Sequence, residues 1–284
     1  FRRMLGRHGK AFAFSPEEIG CVDPTIVEPM VIFTVPHVPW NLKPVLVPRA
    51  HILKLTKLLK QKIEMGVLEP SSAPYSSRWF TVPKKNDKLC FIEDLQRANK
   101  VTIRNTGIGL TIDEFAEAFA ERSMYSVGDL YSGYDQAIES RDMTTMRTPL
   151  GLDRMCTRPQ GGTNSVAHMV NAMNKVLRDC IPDITMPFLE DIPIKGCSEE
   201  VKDESIRPDG CRRFVVDHIS DYKKILQMLQ GARLICFGEK SDFGKSEILV
   251  VGHLGGPYGW MPCPATVDAI STMKEECKSV TEVR

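Results

Sequence analysis

The chain has 284 residues, with 37 Lys or Arg against 36 Asp or Glu, a formal net charge of +1 and a pI near 7.7. Such a length suits one large or two modest domains, and 42% hydrophobic residues suffice for a packed core, which excludes wholesale disorder. The balanced charge excludes a histone-like or tail-driven nucleic-acid binder but leaves local patches open. No apolar run approaches the roughly 18 residues of a membrane span, and the basic start Phe1-Arg2-Arg3-Met4 lacks the apolar stretch of a signal peptide. Residue 1 is not Met, so a piece of a longer chain is expected. Nine cysteines without a C-x-x-C pair, and six histidines without ligand spacing, read as reduced thiols and ordinary side chains of an intracellular protein.

In chain order, residues 1–48 are proline-rich from Pro16 to Pro48, which predicts an extended, docked arm. Leu53, Leu55, Leu58, Leu59 and Ile63 predict an amphipathic helix from Ile52 to Met65, stopped at Gly66. Trp79-Phe80-Thr81-Val82 and Leu89-Cys90-Phe91-Ile92 flank a basic tip with Lys84, Lys85 and Lys88, the pattern of a β-hairpin. Thr111 is a plausible cap for a helix running to about Glu121, and Tyr125 to Leu130 is strand-like. From Asn164 to Cys180, Val166, Met169, Val170, Met173, Val176 and Leu177 form one apolar helical face. Thr185 to Lys195 reads as a second hairpin, 213–230 as a helix, and Ile248 to Val251 as a short strand closed by Gly252. Helices and hairpins in irregular order indicate an α+β class.

Two acidic positions lie in apolar strand contexts: Asp129 after Tyr125-Ser126-Val127-Gly128, and Glu190-Asp191 between Phe188-Leu189 and Ile192-Pro193-Ile194. Carboxylates so placed repel and lose solvation, a cost that a bound cation relieves. Strands lying side by side would bring the three together as two-metal phosphoryl transfer requires. The plain alternative is that they are turn residues.

Further blocks follow in order: Tyr75-Ser76-Ser77 through Asn99-Lys100-Val101-Thr102, Ser126 to Tyr134, Pro159-Gln160-Gly161 with Asn164-Ser165, Phe188 to Asp191, Glu239 to Phe243, and Val250 to His253. From about Pro44 to Arg284 this series resembles the reverse transcriptase domain of gypsy-type LTR retrotransposons, encoded within a pol polyprotein. The resemblance implies a right-hand polymerase fold with an antiparallel palm sheet and only the start of a thumb. Its parts would be an arm at 1–43, fingers at 44–103, palm with the first aspartate at 104–136, a fingers return with the Pro-Gln-Gly loop at 137–168, palm at 169–253, and the beginning of thumb or connection at 254–284. Asp129, Glu190 and Asp191 would be the catalytic, metal-binding carboxylates, holding two magnesium ions, with manganese as an alternative. Tyr134 would lie under the nucleotide sugar, Gln160 would touch sugar and base, and Gly161 would allow close backbone approach. Lys84 and Lys85 would reach phosphates, and Lys240 the leaving pyrophosphate. Each has a bland counterpart: a core aromatic, a solvated loop, a surface lysine.

The resemblance also implies a primed RNA or DNA template and dNTP as partners and no membrane. Flanking protease, RNase H and integrase domains are expected of the family and are not present in these residues. A cytoplasmic location in a virus-like particle is expected, with the nucleus as the alternative. This copy departs from the family pattern. Glu190 replaces the first Asp of its pair, Cys90 and Gln96 replace arginines, Arg158 replaces an apolar residue before Pro159, and the strand after Tyr134 is about three residues short. Arg97 falls on the other face if strand alternation continues, and the shortened strand needs a bulge or a new register. These departures suggest a degenerate copy, so a catalytically dead remnant with residual nucleic-acid or partner binding stands beside the active polymerase. A third reading, an unrelated α+β domain with chance motifs, requires Asp129 and Asp191 to lie far apart.

Overall fold

The first proline is Pro16, and upstream of it nothing forbids a helix. Where composition predicts an extended arm, Arg2–Arg7 form helix α1 and bury Met4. In this computed structural model, which describes residues 1–83, 89–107, 111–134, 136–250 and 252–273, the arm then carries two short strands, β1 (Phe12–Ala13) and β2 (Gly20–Cys21). It lays Ala11, Phe12, Val22 and Val27 in the main core. Helix α2 (Ile52–Glu64) follows the predicted spacing and ends before Gly66, whose φ of +68° suits glycine. Its Leu55 and Leu59 pack with Leu68 of β3 (Leu68–Pro70) and with Trp79.

The hairpin β4 (Trp79–Pro83) and β5 (Leu89–Glu93) forms as predicted, with Trp79 opposite Glu93. Its basic tip, with Lys84, Lys85 and Lys88, lies outside the described residues. Asp94 Oδ1 then accepts the Gln96 N–H at 3.1 Å and turns the chain into α3 (Gln96–Val101). Strand alternation therefore does not govern Gln96 and Arg97, which are helical neighbours roughly 100° apart.

Thr111 caps α4 (Ile112–Phe119) in a reciprocal box with Glu114. After β6 (Tyr125–Asp129) and β7 (Ser132–Gly133), the expected strand past Tyr134 does not continue. Gln136 N–H bonds Cys156 O at 2.8 Å and the chain enters α5 (Ile138–Arg141). Asp135, between Tyr134 and Gln136, is outside the described residues. β8 (Met146–Thr148) and β9 (Gly151–Met155) join β3 in a three-stranded sheet.

Helix α6 (Ser165–Val176) is shorter than the predicted 164–180 and is followed by a 3₁₀ turn, Arg178–Cys180. It buries Ala167, Met169, Ala172, Met173 and Val176, whereas Val166, expected on that face, is exposed because the first turn borders a cleft. Of the second predicted hairpin only the return arm is a regular strand, β10 (Asp191–Lys195), with single bridges at Thr185 and Phe188. Pro187 has no N–H to give to a ladder. Helix α7 (Arg213–Gly231), β11 (Cys236–Phe237) and β12 (Asp242–Lys245) follow.

β6 is the middle strand of the antiparallel order β10–β6–β12. Alternation places Ile192 and Ile194 on one face, where α6 and α7 cover them with Met169, Met173, Ile225 and Leu229. Tyr125 and Val127 occupy the other face, packed with Phe115, Phe119, Ile248 and Val250. The arm extends this framework: β1 pairs parallel with β11, β2 with β7, and Leu130 bridges to Cys236. The last described elements are β13 (Ile248–Val250), β14 (His253–Gly256) and β15 (Gly259–Pro262), one antiparallel meander, and α8 (Pro264–Ser271), which buries none of its side chains. Val251, predicted to end the first of these strands, is outside the described residues.

Between sheet and α7, His218 is 1% exposed, with Nε2 2.9 Å from Ser126 Oγ. Burial pushes its pKa down to about 4, so it is neutral at pH 7. The unfolded chain takes up this proton at about pH 6.5, so stability is full above that pH and falls as pH drops toward about 4, by about 3 kcal/mol. Urea unfolding across this window is expected to show the loss, and His218→Gln to flatten it. An unchanged slope in the variant would assign the acid sensitivity to other groups.

Candidate active site

β6 and β10 end side by side, which sets Asp129 directly opposite Asp191. Asp191 exchanges both backbone hydrogen bonds with Phe188, at 3.0 and 2.9 Å, while the Leu130 N–H reaches Glu190 O at 2.7 Å. The aspartates thus form a non-hydrogen-bonded pair, the kind whose side chains come closest, with Cβ atoms about 4.5–5.5 Å apart. The turn that creates this register holds Leu189 at φ +54°, strained for leucine, while Phe188 packs edge-on to Phe115.

Burial, then Asp129, then Glu190 raise the pKa of Asp191, against an opposing pull from Lys240. Lys240 Nζ stands 3.3 Å from both carboxylate oxygens of Asp129. With the lysine 63% exposed, that pair adds little stability. Ser241 Oγ accepts the Asp129 N–H at 3.4 Å and donates to Phe237 O at 2.9 Å. Behind the strand, Cys236 is buried and its thiol pushed up to about 12 by burial and by Asp129, so it acts as a small apolar group. A Cβ on Gly128 would stand 3.1 Å from its sulfur, a tight contact that glycine avoids.

Glu190 borders the same cleft but occupies the exposed turn. Among the described residues no group of three or more His, Cys, Asp or Glu stands close enough to hold one ion. Asp129 and Asp191 form the facing pair, and Glu190 acts on Asp191 from the turn beside them. Two carboxylates still fit magnesium, which binds proteins through one or two of them and takes its remaining ligands from water and phosphate.

The cleft encloses about 350 Å³ between this pair, the loop carrying Gln160 and Gly161, and Val166 of α6. Gln160 is exposed at the rim, and Gly161 has φ +86°, a left-handed turn. The loop is shaped by amides: Asn99 Nδ2 donates to Gly161 O at 3.0 Å and its Oδ1 accepts the Thr163 N–H at 2.9 Å. Asn164 Oδ1 accepts the Asn105 N–H at 3.1 Å, and Ser165 Oγ donates to Pro159 O at 2.7 Å. Asn99 and Ser241 carry no sequence signal of their own for these roles.

Tyr134 is 1% exposed, in the main core, and donates its hydroxyl to Met173 Sδ at 3.3 Å. The Arg158 guanidinium covers its ring at 5.4 Å. The tyrosine borders a second cleft of about 410 Å³ together with Cys90, Glu93, Arg158, Gln160 and Glu190. Both carboxyl oxygens of Glu93 are buried without partners, and burial drives its pKa well up. The sequence signal for Glu93 is an acid closing the apolar run Leu89-Cys90-Phe91-Ile92. Of the predicted nucleotide-binding residues, Tyr134 and Gln160 share this second cleft, Lys240 lies beside Asp129, and Lys84 and Lys85 are outside the described residues.

A three-stranded antiparallel sheet with facing aspartates at its strand ends, two helices behind it and a hairpin-bearing lobe across a cleft is the architecture of a right-hand polymerase. No family model matches the chain. It is 25% identical over 230 residues to the retrovirus-related Pol polyprotein from transposon 297 of Drosophila melanogaster, covering 78% of this chain and 20% of that protein. Against the Pol polyprotein from transposon gypsy of the same fly, identity is 25% over 226 residues, with 76% and 20% covered. Against the transposon Tf2-3 polyprotein of Schizosaccharomyces pombe it is 23% over 220 residues, with 76% and 15% covered. The chain is a homologue of retrotransposon Pol polyproteins and spans about a fifth or less of the length of these curated relatives.

Its fold is that of the foamy viral protease–reverse transcriptase. The structure of that protein with an RNA/DNA hybrid superposes with a TM-score of 0.82 at 17% identity, covering 99% of this chain and 36% of that one. A form with double-stranded DNA gives 0.83 at 17% identity, covering 99% and 46%.

The repulsion around Asp191 has a measurable cost. A carboxyl with a raised pKa destabilises the fold above that pKa, where it is ionised, and is neutral in effect well below it. Asp191→Asn is expected to melt higher than the parent at pH 7, by about 2–4 °C per kcal/mol relieved. The difference should close as pH falls and Asp191 itself is protonated. Scanning calorimetry at both pH values checks this, and a variant that melts lower at pH 7 would mean the carboxylate is already satisfied.

Proposed function

We propose that this chain is an RNA-directed DNA polymerase domain that joins deoxynucleotides to a primer 3′-hydroxyl on an RNA or DNA template. The observation that carries the reading is the in-register pairing of Asp129 with Asp191 at the mouth of the cleft. Two magnesium ions, with manganese as the alternative, would be held by Asp129 and Asp191, with Glu190 reaching in from the turn. When bound they neutralise the charge that develops on the phosphates and make the attacking hydroxyl more acidic. Gln160 offers its exposed amide to the nucleotide sugar and base, and Gly161 leaves room for both. Lys240 orients Asp129 and, on an exposed flexible stem, reaches the leaving pyrophosphate. Tyr134 forms the floor beneath the sugar, screened by Arg158. Lys84 and Lys85 contact phosphates. The nucleic acids bound by the foamy viral enzyme support a primer–template duplex as partner. On the same reading, protease, RNase H and integrase segments belong to the wider polyprotein, and the protein works in cytoplasmic virus-like particles.

A second reading, a catalytically dead remnant that still binds nucleic acid or a partner, draws on specific observations. Glu190 is exposed in its turn, Lys240 holds Asp129, and Arg158 covers Tyr134. Primer extension on poly(rA) with oligo(dT) and magnesium separates the two. We expect weak product that Asp129→Asn abolishes, and a gain on the order of a hundredfold when Glu190→Asp corrects a misplaced carboxylate. Cys90→Arg and Gln96→Arg added to it should raise activity further. Primer–template binding without extension, unchanged by all three restorations, would favour the remnant. Magnesium should also raise the melting temperature of the parent but not of Asp129→Asn, since a ligand specific to the folded state stabilises it by mass action.

A further inference from the structure

Arg158 borders both clefts, with Asp129 and Asp191 on one side and Cys90 and Glu93 on the other. Its Nη1 donates to Ser165 O at 2.7 Å, its own N–H bonds Tyr134 O at 2.6 Å, and its plane covers the tyrosine ring. The Nε–H is buried and has no partner, and no ion pair with Arg158 occurs among the described residues. A mostly buried guanidinium without an ion pair costs stability, offset only in part by the Ser165 hydrogen bond and the tyrosine ring. Among the described residues, the first cleft has no other lysine or arginine in its lining, and the second has only Lys62, whose amine lies 5.7 Å from the Phe91 ring. Across the second cleft Cys90 brings no charge, Glu93, with its pKa driven up by burial, tends to the neutral acid, and Glu190, which borders both clefts, is the carboxylate whose field reaches Arg158 without an ion pair. A cation bordering two clefts and held in no ion pair among the described residues fits a multiply charged anion.

We propose that Arg158 is the phosphate-binding group of this site, gripping the phosphate chain of the nucleotide and supplying the guanidinium charge that position 90 does not. The inference rests on the nucleotidyl-transfer reading for the identity of the anion, while the binding itself follows from the cleft. Isothermal titration of the full chain with inorganic tripolyphosphate, dTTP and thymidine, with magnesium and with EDTA, tests it. Tripolyphosphate and dTTP should bind and thymidine should not. Arg158→Met should weaken tripolyphosphate about 10- to 100-fold, the range of a lost charge-assisted hydrogen bond, with Arg158→Lys in between. Arg158→Met should also melt at least as high as the parent, because an unpaired buried charge has gone. Equal tripolyphosphate affinity in parent and Arg158→Met overturns the proposal, as does a parent that binds no tripolyphosphate in either buffer. A lower melting point with unchanged affinity makes Arg158 a structural residue and equally overturns it. Primer extension on the same preparations keeps the two ideas apart. Extension without an Arg158 effect leaves the polymerase reading standing, and Arg158-dependent phosphate binding without extension leaves only the anion site.

Discussion

The antiparallel register between β6 and β10 is the constraint on which the site depends. It sets two carboxylates face to face at the strand ends, an arrangement that electrostatics opposes, and the opposition must be met by packing elsewhere. Ile192 and Ile194 anchor one face of β10 in the main core under α6 and α7, while Tyr125 and Val127 anchor the opposite face of β6 against Phe115, Phe119 and Ile248. Each large apolar side chain buried there contributes about 1.5–3 kcal/mol, so a few of them outweigh one repulsive pair. A one-residue slip of β10 would turn Asp191 onto the face packed under α6 and α7 and carry Ile192 and Ile194 off it, which makes the register strongly specified.

The elements around that pair share a division of labour. Rigid strands carry the charges, and a loop held by side-chain amides presents Gln160 and Gly161 to them. Asn99 and Asn164 act as braces: each satisfies backbone groups of segments distant in sequence, so the loop keeps its shape without belonging to a helix or strand. Leu189 in a left-handed conformation and Arg158 with an open donor are local costs beside the same cleft. Strain and unsatisfied charge gathered at one place are characteristic of sites shaped for a ligand.

The near-neutral net charge has a physical explanation in this arrangement. Acids are gathered at the aspartate pair and its turn, while among the described residues the cations lining the clefts are Arg158 and Lys62, with Lys240 beside Asp129. The overall balance therefore averages over a site whose local charges are unequal and closely spaced. Resemblance to retrotransposon polyproteins at about 25% identity is compatible with loss of individual charged positions while cores persist, because volume and pattern are tolerant where paired charges are not.

Local pattern alone determined the amphipathic α2, the β4–β5 hairpin, α4 with its Thr111 cap, and α7, since these depend on neighbours within a turn or a strand. It also marked Asp129, Glu190 and Asp191, because acids are conspicuous in apolar strands. Only the tertiary structure decided the rest. Helix α1 arose where composition suggested an extended arm, and Asp94 turned Gln96 and Arg97 into a helix. Val166 left the core face for a cleft, and Glu190 took an exposed place in the turn beside the aspartate pair. Tyr134 came to lie beneath Arg158, which no spacing rule could place. The physical reason is the range of the forces: local pattern encodes which face of an element is apolar, whereas charge pairing, cleft shape and side-chain cover are set by residues far apart in sequence.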